Sequence, residues 1–277
     1  NYLQEQLDAE ARGTTGYAAV RPKTFLACEI PLPPLAEQRR IVARIEELSA
    51  QIREAQELSR QAAAESEGLL AAMAHRADLD GSRKLRAGWR RTRLSEVISL
   101  VDDLHSVDAS RKYPNLGIYS FGKGLFRKPP IEGAMTSAKK LRRVKTGQFI
   151  YSRLFAFEGA YGIVTSDFDG CFVSQEYPTF ECVPNRVNAE FLASYFKPRS
   201  VWKDVATGSK GLGDRRQRVQ PAHLLKHEFW LPPMACQNCL RDAYYELHRL
   251  RPEQGAVDDG LNALLPGILD RAFKGGL

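Results

Sequence analysis

A chain of 277 residues, 43% hydrophobic and 26% charged, has room for one or two ordinary globular domains. No apolar run approaches the roughly 18 residues of a membrane span and no signal-peptide pattern opens the chain, so a membrane protein is set aside and a cytoplasmic location is expected. Forty Lys and Arg against 33 Asp and Glu leave a net charge of +7, which favours a polyanionic partner such as nucleic acid.

Residues 1–32 read as the tail of a module whose beginning lies upstream, since the chain starts at Asn1 rather than Met. They lead into Glu29-Ile30-Pro31-Leu32-Pro33-Pro34-Leu35-Ala36-Glu37-Gln38, and this segment returns near the other end as Glu228-Phe229-Trp230-Leu231-Pro232-Pro233-Met234-Ala235-Cys236-Gln237. The spacing from Pro33 to Pro232 equals that from Gln38 to Gln237 and from Pro22 to Pro221. A unit of strand, Pro-Pro and helix is used twice, too far apart for a solenoid, with a different module between the copies.

Residues 33–80 form the first helical segment, with the helix itself from about Pro34 to Ala77. Proline suits a first turn, where its missing N–H would be unpaired anyway. Beyond it Ile41, Ile45, Leu48, Ile52, Ala55, Ser59, Ala62, Ser66, Leu69 and Met73 recur at steps of four and three, a heptad seam. Such a helix would be roughly 65 Å long.

Residues 81–231 read as a globular α+β module. Pro114-Asn115, Gly122-Lys123-Gly124, Pro129-Pro130, Asp169-Gly170 and Pro184-Asn185 supply turn chemistry. Strands are expected at Gly117–Phe121, Phe149–Tyr151, Tyr161–Val164 and Thr179–Val183, with Asp169-Gly170 a hairpin tip. A helix is expected over Asn188–Phe196, capped by Asn188.

Residues 232–277 form the second helical segment. Leu240, Ala243, Leu247, Leu250, Gln254, Val257, Leu261, Leu264 and Ile268 repeat the three–four spacing, and Pro252 predicts a kink or break. Two seams of similar length, neither able to bury its stripe alone, most simply pack on each other as an antiparallel coiled coil. The helix-packing set is Ile41, Ile45, Leu48, Ile52, Leu69 and Met73 with Leu240, Leu247, Val257, Leu261, Leu264 and Ile268.

Enzyme signatures were sought without success. Gly208-Ser209-Lys210-Gly211 lacks the spacing and ending of a phosphate-binding loop, and Gly122-Lys123-Gly124 is too short for a dinucleotide fingerprint. None of the Pro-Pro pairs follows Asp or Asn, as an amino-methyltransferase motif requires. Cys236-Gln237-Asn238-Cys239 has the spacing of half a zinc site, but no second ligand pair matches it, so no metal is expected. The other cysteines, Cys28, Cys171 and Cys182, are irregularly spaced, as free thiols in a reducing compartment are.

The positive signal is basic. Lys123, Arg127, Lys128, Lys139, Lys140, Arg142, Arg143 and Arg153 fall at loops or strand edges, and Lys210, Arg215, Arg216 and Arg218 surround a glycine-rich loop. Lys and Arg neutralise phosphates and release counterions, and Arg can read guanine bidentately. All twelve are taken as DNA-contact candidates. The interleaved Tyr119, Phe121, Phe126, Tyr151, Phe155 and Tyr161 are read as strand core.

Ile30-Pro31-Leu32-Pro33-Pro34-Leu35-Ala36-Glu37-Gln38-Arg39-Arg40-Ile41-Val42 closely resembles the entry into the spacer helix of DNA-specificity subunits of type I restriction–modification systems. Leu264-Leu265-Pro266-Gly267-Ile268-Leu269-Asp270-Arg271-Ala272-Phe273-Lys274-Gly275 resembles the family's C-terminal helix end. Tyr151-Ser152-Arg153-Leu154-Phe155 with Gly159-Ala160 and Phe172-Val173-Ser174 resembles one group of its target recognition domains. The resemblance implies one full target recognition domain flanked by two spacer helices, with 1–32 the stub of an upstream domain. It implies a subunit without a catalytic site or cofactor, partnered by double-stranded DNA, methyltransferase subunits that carry S-adenosylmethionine, and restriction/translocase subunits. The chain departs from the pattern in holding one recognition domain, and in Cys236 and Leu240 of the second motif. The recognition end of a fused restriction–methylation enzyme, and a coiled-coil scaffold with no DNA role, are the alternatives.

Overall fold

The computed structural model describes residues 6–7, 22–29, 32–207 and 218–273, without the side chains at 24, 251–254 and 273. In chain order its elements are α1 (Pro22–Leu26), α2 (Leu35–His75), α3 (Gly81–Arg86), β1 (Arg90–Arg93), β2 (Ile98–Leu100), β3 (Leu104–Ser106), β4 (Lys112–Ile118), β5 (Leu125–Glu132), β6 (Lys140–Arg143), β7 (Phe149–Tyr151), β8 (Tyr161–Ile163), β9 (Phe172–Val173), β10 (Thr179–Cys182), α4 (Ala189–Tyr195), α5 (Arg199–Ala206), α6 (Pro221–Leu224), β11 (Glu228–Leu231) and α7 (Met234–Phe273). They divide between two compact units, Asn1–Ala64 with Leu250–Leu277 and Glu65–Arg249.

The sequence repeat is a repeat of local geometry. Pro22 and Pro221 each open a short helix, α1 and α6. Pro-Pro then precedes each long helix. Five residues past the first proline of the pair, a glutamine side chain folds back onto that proline's carbonyl. Gln38 Nε2 donates to Pro33 O at 2.7 Å, and Gln237 Nε2 to Pro232 O at 2.9 Å. The first helical N–H groups go to the second proline of each pair, so the carbonyl of the first needs another donor, and the glutamine side chain supplies it.

In the first unit, α2 carries i,i+3 pairs Arg40–Glu37, Arg44–Glu47 and Arg60–Glu57 on its exposed side. Ile41, Ile45, Leu48, Ala55 and Ser59 are half-buried and Ile52 is buried. On α7 the half-buried positions are Asp258, Leu261, Leu265, Ile268 and Ala272, while Val257 and Leu264 are exposed. Gln56 Nε2 donates to Asn262 Oδ1 at 3.0 Å, joining the two helices. Val257 and Leu264, expected in the seam, are thus exposed, and the neighbouring Asp258 and Leu265 are the half-buried positions. Leu69 is likewise 56% exposed, and Leu70 and Ala74 are buried in its place. Leu261, Ile268 and Met73 keep their expected half-buried places, so the three–four spacing persists and only the positions between them are displaced by one residue.

Pro252 does not break α7, which is helical from Met234 to Phe273. An interior proline costs about 3 kcal/mol. Interrupting the helix would give up the stripes on both sides of it, Leu240 and Leu247 on one and Leu261 and Ile268 on the other.

The second unit holds two sheets and a ribbon. β2-β10-β7-β8 is antiparallel throughout, β3-β6-β9-β4-β5 contains one parallel pairing, and β1 pairs with β11. The main core joins Phe149, Tyr151, Tyr161 and Phe180 of the first sheet to Phe191, Leu192 and Phe196 from α4 and its end, and to Val201, Trp202 and Val205 of α5. Ala74 of α2 and Leu240 of α7 lie in the same core.

Several turn assignments are corrected. Pro114-Asn115 lies inside β4, at a bulge between Tyr113 and Asn115, and Pro129-Pro130 lies inside edge strand β5. Both are places where a strand tolerates a missing N–H. Asp169-Gly170 is no hairpin tip, because β8 and β9 belong to different sheets; Asp169 instead accepts from Thr146 N at 2.8 Å. Asn188 occupies the N-cap of α4, yet its side chain donates to Asn238 Oδ1 at 3.0 Å rather than capping.

His75 and His227 flank Tyr195. His75 Nε2 meets Tyr195 O at 2.9 Å, and His227 Nε2 meets the Tyr195 hydroxyl at 2.9 Å. Burial holds both imidazoles below the ordinary 6.5, although Asp204 beside His227 pulls the other way. The unfolded chain then binds more protons than the folded one around and below pH 6.5. Stability from these residues is present above that value and drains away as pH falls past it. Urea midpoints at pH 7.5 and 5.5 should show this loss, and it should shrink in His227→Gln.

Candidate nucleic-acid interface

Edge strand β5 and its partner β4 form a hairpin whose outer side is exposed at Arg127, Lys128, Pro129 and Pro130. Its turn, Tyr119 to Gly124, is tied down from both sides. Tyr119 N donates to Gly124 O at 2.9 Å, Phe121 N to Glu158 O at 2.7 Å and Gly122 N to Gly159 O at 3.0 Å. Ser120 Oγ donates to Glu158 Oε2 at 3.1 Å, and Lys197 Nζ to Gly122 O at 2.6 Å. Phe121 sits at φ +63° and Gly122 at φ +66°.

The sequence-picked cations fall into three groups. Lys123, Lys128, Lys139 and Lys140 are exposed, and none is ion-paired or hydrogen-bonded through its side chain among the described residues. Lys123 and Lys128 share the β4–β5 hairpin, while Lys139 and Lys140 stand at the start of β6. Arg143 is also exposed and lines a hollow of about 400 Å³ with His105, Arg111, Pro114, Gly170 and Phe172.

The second group is engaged in the fold. Arg142 is a correction, being only 7% exposed. It donates to the Val101 carbonyl, and burial lowers its pKa against the opposing pull of Asp102 and Asp103. β6 pairs on both edges, with β3 and β9, and its two central residues, Leu141 and Arg142, are both buried. Arg127 donates to the Asp167 carbonyl and lies 5.4 Å from the Phe168 ring centroid, fastening β5 to the 166–168 turn. Arg153 donates to Gln220 Oε1 at 2.8 Å, and Glu176 lies within 3.9 Å of Arg153 and 3.5 Å of Arg218. Lys210, Arg215 and Arg216 form the third group and lie outside the described residues.

Sequence reasoning missed His105 and Arg111: His105 nears Arg143 through the pairing of β3 with β6, and Arg111 precedes β4, which is joined to β6 through β9. His105 Nε2 lies 2.8 Å from Asp103 Oδ1, and Arg111 lies 5.5 Å from the Tyr113 ring centroid. The interleaved aromatics split: Tyr151 and Tyr161 are buried as expected, but Tyr119, Phe121 and Phe155 are 49%, 65% and 46% exposed. A second hollow, of about 330 Å³, mixes Arg91, Lys226 and His223 with Asp204 and Glu228 and has no net preference for an anion.

Among the described residues no cluster of His, Cys, Asp and Glu could hold a metal, and no helix is long and apolar enough to cross a membrane. Cys236 and Cys239 are exposed free thiols.

No protein-family model and no curated protein sequence matches the chain. Solved structures do. A chain from a structural study of complex assembly and conformational transition in the type I R-M system matches with a TM-score of 0.60 at 22% identity, covering 100% of this chain and 69% of that one. The HsdS subunit from Thermoanaerobacter tengcongensis matches with a TM-score of 0.52 at 22% identity, covering 100% of this chain and 68% of its own. The chain has the fold of the specificity subunits of type I restriction–modification systems.

Proposed function

We propose that the chain is a non-catalytic, sequence-specific DNA-binding subunit that directs a type I methyltransferase and endonuclease to a bipartite target. The observation that carries the reading is the exposed β4–β5 edge hairpin, which presents unpaired Lys123 and Lys128 on a module whose fold is that of specificity subunits. A two-stranded ribbon fits the major groove, and unneutralised cations beside it match phosphates. In this reading the partners are double-stranded DNA, methyltransferase subunits that bring S-adenosylmethionine, and restriction/translocase subunits.

The two long helices act as an antiparallel coiled-coil spacer. Ala74 shares a core with Leu240, while Gln56 further back on α2 bonds to Asn262 further along α7.

The test is the salt dependence of duplex binding. Each phosphate contact contributes about 0.9 to the slope of log K against log salt. Lys123→Ala/Lys128→Ala should lower that slope by about 2 and leave the urea midpoint in place. An unchanged slope in a folded double variant would remove the hairpin from the interface.

A further inference from the structure

We propose that Phe121 is a stacking wedge that inserts its ring against a base step of the duplex; this rests on the DNA-binding reading above. The starting observation is a conflict inside the turn. Phe121 adopts φ +63°, a region in which a bulky side chain is an outlier and which Gly or Asn would occupy freely. Five hydrogen bonds hold the turn in that shape. They come from Tyr119 N, Phe121 N, Gly122 N, Ser120 Oγ and Lys197 Nζ.

The ring does not repay this by packing. It is 65% exposed, and its described ring contact is Trp202, tilted, with centroids 6.4 Å apart. A strained backbone that holds an exposed aromatic outward is a feature of binding sites rather than of cores. Beneath it the support is stiff. Trp202 is buried, and Gly122 and Gly159 both lie close against its indole.

The chemistry of the surroundings selects the ligand. Lys123 is two residues away in the same turn, and Lys128 follows on β5. An apolar ring on the same hairpin as two exposed cations matches a nucleic-acid duplex, where each base step is flanked by phosphates. Apolar wedges that part base steps use this combination. Stacking reads every base by its face, so the contact needs no further hydrogen-bond donor.

The experiment uses the full chain, duplexes enriched by it from a randomised pool, and closed circular DNA relaxed by topoisomerase in its presence. Phe121→Gly removes the ring and the strain together, whereas Phe121→Tyr keeps the ring. The Gly variant should melt at the same temperature as wild type or higher. It should bind the enriched duplex about 5–100-fold more weakly with an unchanged salt slope, and it should leave the circular DNA less underwound. The Tyr variant should bind and unwind like wild type. Wild-type affinity in the Gly variant overturns the wedge alone. Weaker binding with a reduced salt slope overturns it as well, because the ring would then be holding Lys123 in place. Weaker binding with unwinding retained overturns insertion. A wild-type chain that selects no duplex overturns the DNA-binding reading itself.

Discussion

Gly159→Ala should destabilise the second unit by about 2–5 kcal/mol, from two separate penalties. The residue sits at φ +82°, where any L side chain costs about 1–2 kcal/mol. Its new methyl would also stand 2.3 Å from Cε2 and 2.5 Å from Cδ2 and Cζ2 of Trp202. The indole cannot swing aside, because it is 5% exposed and its Nε1 donates to Phe196 O at 2.5 Å. Overpacking of this kind adds about 1–3 kcal/mol. Gly147 is the internal control. It has φ +84° with open space beside it, so Gly147→Ala should incur only the backbone term. Urea unfolding of both variants gives the comparison, and equal losses would remove the contact with Trp202 from the explanation. Since Gly159 O also receives Gly122 N, the alanine variant should weaken duplex binding beyond what its lost stability accounts for.

Gln237→Leu should cost about 3 kcal/mol. The side chain is buried and fully used: Oε1 accepts from Asn188 N at 2.8 Å, and Nε2 donates to Arg186 O at 3.1 Å and to Pro232 O at 2.9 Å. Leucine fills a similar volume and takes the partner from three backbone groups, one bond buried and two part-buried, each worth about 1–3 kcal/mol less any relaxation. The same change at Gln38 strips one carbonyl in a half-buried position, where water can substitute, and should cost about 1 kcal/mol or less. Denaturation midpoints of the two variants measure the difference. Equal midpoints would mean that Gln237 does no more than its counterpart.

The contrast between those glutamines shows how far the sequence could be read. The repeat was visible because each copy needs the same parts for the same reason: a proline carbonyl without a local donor, and an amide five residues on. The strands around Phe149, Tyr161 and Thr179 were visible because both faces of their sheet are covered, leaving short apolar runs between turn residues. What failed depended on neighbours distant in the chain. Pro114 and Pro129 look like turn residues until the partner strands are known, because a bulge or an edge is a property of the pairing. Arg142 and Arg143 are adjacent and alike in sequence, and what separates them is the Val101 carbonyl, distant in the chain, to which the buried Arg142 donates. Phe121 was read as core because an aromatic beside apolar neighbours usually is. Its exposure follows from a left-handed turn that bonds to Glu158 and Gly159 impose from elsewhere in the chain.

The edge strand has a last consequence, for behaviour at high concentration. β5 is the outer member of its sheet and long for an edge, so its free rim could nucleate pairing with another molecule and grow into aggregates. Of the consecutive Pro129 and Pro130, one removes a donor from that rim and the other from the side facing β4, and Lys128 adds a charge that a neighbouring sheet would have to bury. Proline and lysine thus act as gatekeepers of solubility on a rim kept bare for another use.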